Sequence, residues 1–545
     1  MEDMQLATDR IHVNQMGYRP QDTKHVFVND QPGEFQVVDS KDRVVFTGIL
    51  EGPTKDDASG DTVYRGDFSN LVNEGEYRVL VTGIGSTALF PISKFAYQDI
   101  HRALQKFFYY QRCGMELTPE FAGEWAHKAC HLAHGVVHEE PDVHLPSSGG
   151  WHDAGDYGKY TVAAAKAVAD MLLAYEFFPD AFADEVGIPE SKDSMPDLLS
   201  EVKYELDWML KMQREDGSVF HKVTTRTFPG LDVMPEEDHG DLVFSPVSFT
   251  AAGTFVATMA MAARLYQSVD PEYARLCLSA AEKSWKWLTN MTDVRGFHNP
   301  PDIKTGEYGD SVTADELYWA AAEMYRTTGD ERFHETVKQA LSNPNFPILE
   351  LGWADVGGYG SLAYLLCDQS AVDRGIYKTL LDAWLARADE LVDRAQKDGY
   401  EITLLPQDYI WGSTMLLMNQ AIHLIVANRL SKNEKHTRSA TNNFNYLLGA
   451  NPLGQCYVSG FGEKPLMNPH HRPSVADGVD VPVPGMVSGG PNANLQDSAA
   501  KQAASGQPPA RCFVDDKESY STNEITIYWN SPAVFVSASL CTNNG

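Results

Sequence analysis

Over residues 10–93 the apolar positions fall in short, β-prone runs, at 10–16, 25–28, 34–38, 44–50, 62–68, 76–82 and 87–92. Gly, Pro, Asp and Asn separate them, as at 30–33 and 73–75. Seven such runs in a short stretch predict an immunoglobulin-like sandwich. No cysteine occurs before Cys113, so no disulfide staples its two sheets. From Tyr97 onward the period changes. Ile100, Leu104, Phe107 and Phe108 follow the i, i+4, i+7, i+8 spacing of a helix face. Further helices are expected to start near residues 157, 197, 247, 272, 314, 331, 357, 372, 412, 434 and 530, twelve in all. Long loops rich in Gly, Pro and His lie between them, at 113–156, 216–246, 289–313 and 451–529. Loops longer than ~15 residues inside a compact domain are usually functional. Periodicity alone gives an all-α domain and does not fix its closure; twelve helices with polar, aromatic-laced loops suggest an α/α barrel with a site at one rim. The expected domains are a sandwich over 1–95 and a helical domain over 96–545.

Composition narrows the function. The 545 residues carry 44 Lys+Arg against 75 Asp+Glu, a formal charge of −31. Such a surface would not attract a nucleic-acid backbone or an anionic membrane, so neither is an expected partner. The uncharged stretch 244–263 is long enough to span a bilayer. Being rich in Ser, Thr, Gly and Ala, it reads instead as a buried helix. Residues 1–10 are polar and lack the apolar run of a secretory leader. A secreted protein without its leader is expected, with a cytoplasmic one as the alternative. The seven cysteines are odd in number and scattered, unlike a disulfide framework.

Three segments bring chemistry together. In Gly149-Gly150-Trp151-His152-Asp153-Ala154-Gly155-Asp156-Tyr157-Gly158-Lys159-Tyr160, two carboxylates three apart stand at the mouth of a helix, where they can position and deprotonate a water. Glu524 closes Tyr520-Ser521-Thr522-Asn523-Glu524, just before an apolar helical run. Burial there would raise its pKa, as suits a general acid. In Asn468-Pro469-His470-His471-Arg472, adjacent His and Arg can bond hydroxyls or clamp a carboxylate. Two further segments suggest metals. Cys113, Cys130 and His131 accompany a loop holding six of the 17 histidines. Two thiolates and two imidazoles would make a closed tetrahedral zinc site. The oxygen-rich turn Gly306-Glu307-Tyr308-Gly309-Asp310-Ser311-Val312-Thr313-Ala314-Asp315-Glu316 is the kind of site hard cations favour.

Together these segments resemble glycoside hydrolase family 9, the cellulase family. The first matches its catalytic-base motif, and Tyr520 to Glu524 its general-acid motif. The run Tyr457-Val458-Ser459-Gly460-Phe461-Gly462, leading to Pro469-His470-His471-Arg472, resembles its active-site His signature. Tyr446-Leu447-Leu448-Gly449-Ala450-Asn451-Pro452 also fits, and Cys456 is one small departure. The resemblance implies an (α/α)6 barrel preceded by an immunoglobulin-like module, and inverting hydrolysis of β-1,4-glucosidic bonds in cellulose or soluble β-glucan by a monomer. Asp156 would be the general base, Asp153 would help hold the water, and Glu524 would be the general acid. The carboxyl groups of Asp156 and Glu524 would stand ~6.5–9.5 Å apart to admit that water. His470 and Arg472 would contact the sugar, with Tyr520 close by. Trp411, and less strongly Trp151 and Trp319, would offer rings for pyranose faces to stack on. Structural zinc is implied at Cys113, Cys130, His131 and His152, with His144 or His138 as alternatives to the last. Structural calcium is implied at Ser311, Val312, Asp315, Glu316 and Asp355. No organic cofactor is expected. The alternative activity is exo-acting, a β-glucosidase or β-glucosaminidase on cello- or chitosan-oligosaccharides.

Overall fold

A computed structural model describes residues 10–542 except 30, 293 and 369. The chain divides into two compact units. One comprises 1–107, 387–470 and 480–545, and the other 108–386 with 471–479. The turn expected at 30–33 and the polar start at 1–10 lie partly outside the described residues.

Among the described residues of the first unit, nine strands form a sandwich: β1 (Ile11–His12), β2 (His25–Asn29), β3 (Glu34–Asp39), β4 (Val44–Ile49), β5 (Glu51–Lys55), β6 (Thr62–Asp67), β7 (Gly75–Val81), β8 (Gly85–Ser86) and β9 (Phe90–Ile92). One sheet runs β1-β2-β6-β5 and the other β4-β3-β7-β8, with β9 also on β7. Val26, Val28, Phe35, Val37, Val79 and Phe90 meet in its core, the inward half of the strand alternation. β5 was not expected from the sequence. Pro53 sits inside it and reads as a strand breaker. The run 10–16 yields only the two-residue β1. The helices Ser413–Ser431, Glu434–Leu447 and Ile527–Cys541 pack together in the same unit. The last is apolar on all sides and correspondingly buried, and Thr526 caps it by accepting a hydrogen bond from the Trp529 N–H.

The second unit is built on two helices buried on nearly every face, Thr161–Phe177 and Phe249–Leu265. Around the latter pack Pro271–Asn290 and Ala314–Thr328, which carry polar outer faces. The uncharged stretch at 244–263 is thus a core helix, as its small residues imply. Among the described residues no helix is long and apolar enough to cross a membrane. All twelve expected long helices are present, their starts within a few residues of those read from the sequence. The unit also holds a five-stranded sheet that the sequence did not reveal. It runs β11 (Glu140–Pro146), β10 (His134–Val137), β14 (Val243–Phe244), β13 (Lys222–Thr224), β12 (Lys159–Tyr160). β12 leads straight into the helix at Thr161, so this sheet fixes the loop that carries Asp153 and Asp156.

Candidate active site

The glycine pair opens the first segment in a conformation other residues resist. Gly149 and Gly150 have φ of 95° and 72°. A Cβ on Gly150 would come within 2.7 Å of the Trp208 ring. The turn delivers the Trp151 N–H to Glu205 Oε2 at 2.5 Å. Gln111 then grips the loop. Its carbonyl accepts from the His152 N–H at 2.7 Å, and its side-chain amide donates to the carbonyls of His152 (3.0 Å) and Ala154 (2.9 Å). His471 Nε2 donates to Gln111 Oε1 at 3.0 Å.

Asp153 and Asp156 are both buried in this cradle. Tyr308 donates its hydroxyl to Asp153 Oδ2 at 2.6 Å, while Asp153 Oδ1 has no partner. Asp156 Oδ2 accepts from the Gly158 N–H at 2.9 Å and from the Tyr160 hydroxyl at 3.4 Å. Burial raises the pKa of both acids. For Asp153 the neighbouring Asp156 charge adds to that, and for Asp156 the Arg472 charge opposes it. Tyr308 holds an unusual backbone φ of 47°, and its ring meets those of Tyr160 and Trp353. Arg472 donates to the carbonyls of Gly155 (2.9 Å) and Pro229 (3.1 Å) and lies over the Phe228 ring. Its side chain braces the Asp156 loop.

The second group of expected residues lies in the first unit. Glu524 follows the short helix Tyr520–Asn523 and is half-buried. Its carbonyl accepts from the Gly489 N–H at 2.9 Å, and the His470 N–H donates to the Asn523 carbonyl at 2.9 Å. Asp497 Oδ2 secures the turn before it, accepting from the Ser519 and Ser521 hydroxyls and the Ser521 N–H. Asn523 is tied to Asp515 and to the Asn468 carbonyl. His470 donates from Nδ1 to the Lys517 carbonyl at 2.6 Å. Trp411, Tyr520 and His470 make a row of rings, with centroids 5.3 Å and 6.1 Å apart. Trp411 is 40% exposed and offers a face to a sugar.

Two expected platforms are corrected. Trp151 is 1% exposed, packs on Phe108 and donates Nε1–H to Glu201. Trp319 is 0% exposed and stacks on Tyr359. Neither can receive a pyranose ring. Both were proposed from residue type, which does not say which way a ring faces.

Cys113, Cys130, His131 and His152 bring one potential ligand atom each within 4.8 Å of one another. His131 Nδ1 is buried without a hydrogen-bond partner, while Nε2 meets Asp238 Oδ2 at 3.3 Å. That is the arrangement of a metal-bound imidazole whose other nitrogen donates to a carboxylate. The donor set therefore fits a soft-to-borderline divalent metal. His138 is engaged with Asp302 and His144 is exposed, and neither belongs to the cluster. Asp238 was missed because it lies 107 residues from its partner.

The oxygen-rich turn also gathers buried acids. Both carboxylate oxygens of Glu316, and Oδ1 of Asp315, are buried without partners. Burial lifts Glu316 well above the usual range, with the Asp315 and Asp310 charges adding to it, and lifts Asp315 to about 6, with the Asp310 and Asp355 charges adding. Asp310, whose Oδ2 is equally unpartnered, joins them, and its other oxygen accepts from the Val312 N–H. Ser311 and Val312 are exposed beside it, and the Asp355 charge reaches Asp310 and Asp315. An acid cluster with orphaned oxygens fits a hard cation.

The model of glycosyl hydrolase family 9 matches residues 97–537, and that of the cellulase N-terminal Ig-like domain matches residues 7–86. The chain belongs to glycosyl hydrolase family 9 and is a glycoside hydrolase, a mainly α (α/α)6-barrel protein with an immunoglobulin-like module ahead of it. It is 38% identical over 543 residues to a cellodextrinase of Butyrivibrio fibrisolvens, covering 96% of this chain and 98% of that one. It is 36% identical over 542 residues to endoglucanase D of Acetivibrio thermocellus, covering 98% and 84% respectively. A solved single mutant of a thermostable endoglucanase from Alicyclobacillus acidocaldarius superposes with a TM-score of 0.93 at 42% identity, over 98% of this chain and 99% of that one.

Proposed function

We propose that the protein is an endo-acting β-1,4-glucanase that inverts the anomeric centre. The observation that carries this is the buried Asp153–Asp156 pair, one acid held by Tyr308 and the other by the Gly158 N–H and Tyr160. Asp156 takes a proton from water as its oxygen attacks the anomeric carbon. Asp153 orients that water through Oδ1, and Glu524 gives its proton to the departing glycosidic oxygen. Inversion requires room for the water between base and acid. His470 and Tyr520 bond sugar hydroxyls, and Trp411 carries an apolar pyranose face. Arg472 acts through the loop it braces. The substrate class is a β-glucan chain, as the names of the relatives suggest.

The Cys/His cluster is read as a structural zinc site. Four protein ligands fill a tetrahedron and leave no position for a reacting water. Such an ion would pin His152, next to Asp153. The acid cluster around Glu316 is read as a structural calcium site.

Digestion of cellopentaose beside chitosan pentamer tests the activity. The expected products are cellobiose and cellotriose, with the chitosan untouched. Glucose or glucosamine released one unit at a time would refute the endo-glucanase reading.

A further inference from the structure

Lys222 is 0% exposed, yet it forms no ion pair with a carboxylate among the described residues. A buried ammonium without a paired counter-charge is costly, so its surroundings need a reason. It stands in β13, directly opposite Tyr160 of β12. Its Nζ donates to the Gly306 carbonyl at 2.5 Å and to Thr305 Oγ1 at 3.1 Å, and lies over the Tyr160 ring. Its neighbours on the same edge hold the same loop. His221 Nε2 donates to the Glu307 carbonyl at 3.2 Å, Thr224 Oγ1 meets Thr305 Oγ1 at 2.8 Å, and the Lys304 N–H donates to the Arg226 carbonyl at 2.7 Å. Residues 304–307 are thus docked along one edge, and the next residue is Tyr308, the donor to Asp153. The fit is close, since a Cβ on Gly306 would come within 3.3 Å of the Tyr160 hydroxyl.

We infer that Lys222 is a positioning residue of the hydrolytic site: it clamps the loop that presents Tyr308 to Asp153, and its ammonium, lying over the Tyr160 ring whose hydroxyl bonds Asp156, favours the charged form of that acid. This rests on Asp156 being the general base. The charged and titratable groups facing Asp156 are Arg472, Asp153, Tyr160 and Lys222. Those facing Lys222 are Asp156, Glu307 and His221. His221 is kept neutral, its pKa pushed down to about 3 by burial, so it does not substitute for the ammonium. Burial pulls Lys222 itself down to about 7, so it carries its charge in acid.

The test is the pH profile of kcat/KM on soluble β-glucan for Lys222→Met and Lys222→Arg. Removing a cation near a carboxylate raises the carboxylate's pKa, so the acid limb of the Met variant should move up by about half a pH unit or more. Its kcat should fall about tenfold, or roughly 1.4 kcal/mol, with KM changed less than about threefold. The Arg variant should keep the limb in place. An unmoved limb in a folded Met variant overturns the charge role, and an unchanged kcat overturns the clamp. If the Met variant does not fold, Lys222→Gln keeps a donor without the charge and is read by the same two criteria. Asp156→Asn separates failure of the base assignment, since there turnover itself would persist.

Discussion

Asp156→Asn should lower kcat on soluble β-glucan by about 10²–10⁴-fold while leaving the fold intact. Asparagine is isosteric and its carbonyl oxygen can still accept from the Gly158 N–H, so the loop keeps its hydrogen bond. What is lost is the capacity to take a proton from water. Glu524→Gln should lose a comparable factor on the same substrate, for a different reason. The two variants separate on a 2,4-dinitrophenyl β-cellobioside, whose leaving group departs without protonation. Glu524→Gln should recover most of its rate there and Asp156→Asn should not. Recovery of both, or of neither, would contradict the roles assigned. Because burial raises the Asp156 pKa and a base acts only when ionised, wild-type activity should fall away with acid at a pH above the ordinary aspartate range.

Removal of residues 1–95 should abolish cooperative folding of the helices in the same unit. The sandwich is tied to them by partly or fully buried polar contacts. Asn14 donates to Asn445 at 2.8 Å, and Asp61 accepts from the Tyr400 hydroxyl and bidentately from Arg511. His25 and Arg65 both engage Glu401, and Arg19 donates to the Leu540 carbonyl. Phe27 packs on Tyr400. Exchanging such a hydrogen bond for water costs about 0.5–1.5 kcal/mol net, and about 1.5–3 kcal/mol where a charged group takes part. Five or six lost together rival the whole stability of a typical domain, about 5–15 kcal/mol. The truncated chain should be insoluble or melt without a sharp transition by circular dichroism. A soluble 96–545 chain melting at the full-length temperature would contradict this. Asp61→Ala gives a milder version, a lowered Tm in the intact chain.

What the sequence revealed and what it hid divide along physical lines. The long helices were legible because an apolar face repeating every 3.6 residues is a local signal. The loop acids were legible because Asp153 and Asp156 sit in one short segment among glycines, as does Glu524 after Tyr520. The sheet β10–β14 was not, since β12 and β14 are two residues each and their pairing is long-range. Tyr308 was read only as part of a cation-binding turn. Its bond to Asp153 spans 155 residues and depends on a backbone conformation that side-chain-bearing residues rarely adopt. Trp151 and Trp319 mark the opposite error, residue type taken as exposure. The metal cluster lies between these cases. The four residues were nameable, but the buried Nδ1 of His131 and the carboxylate behind its other nitrogen belong to the folded chain alone.

The stereochemistry of the first product tests the central claim most directly. Proton NMR during the opening minutes of cellopentaose hydrolysis, before mutarotation, should show new reducing ends appearing as the α-anomer. That is the result of a water delivered by Asp156 to the face opposite the departing oxygen. New ends appearing first as the β-anomer would mean a covalent glycosyl intermediate, and Asp156 would then not be a base acting on water.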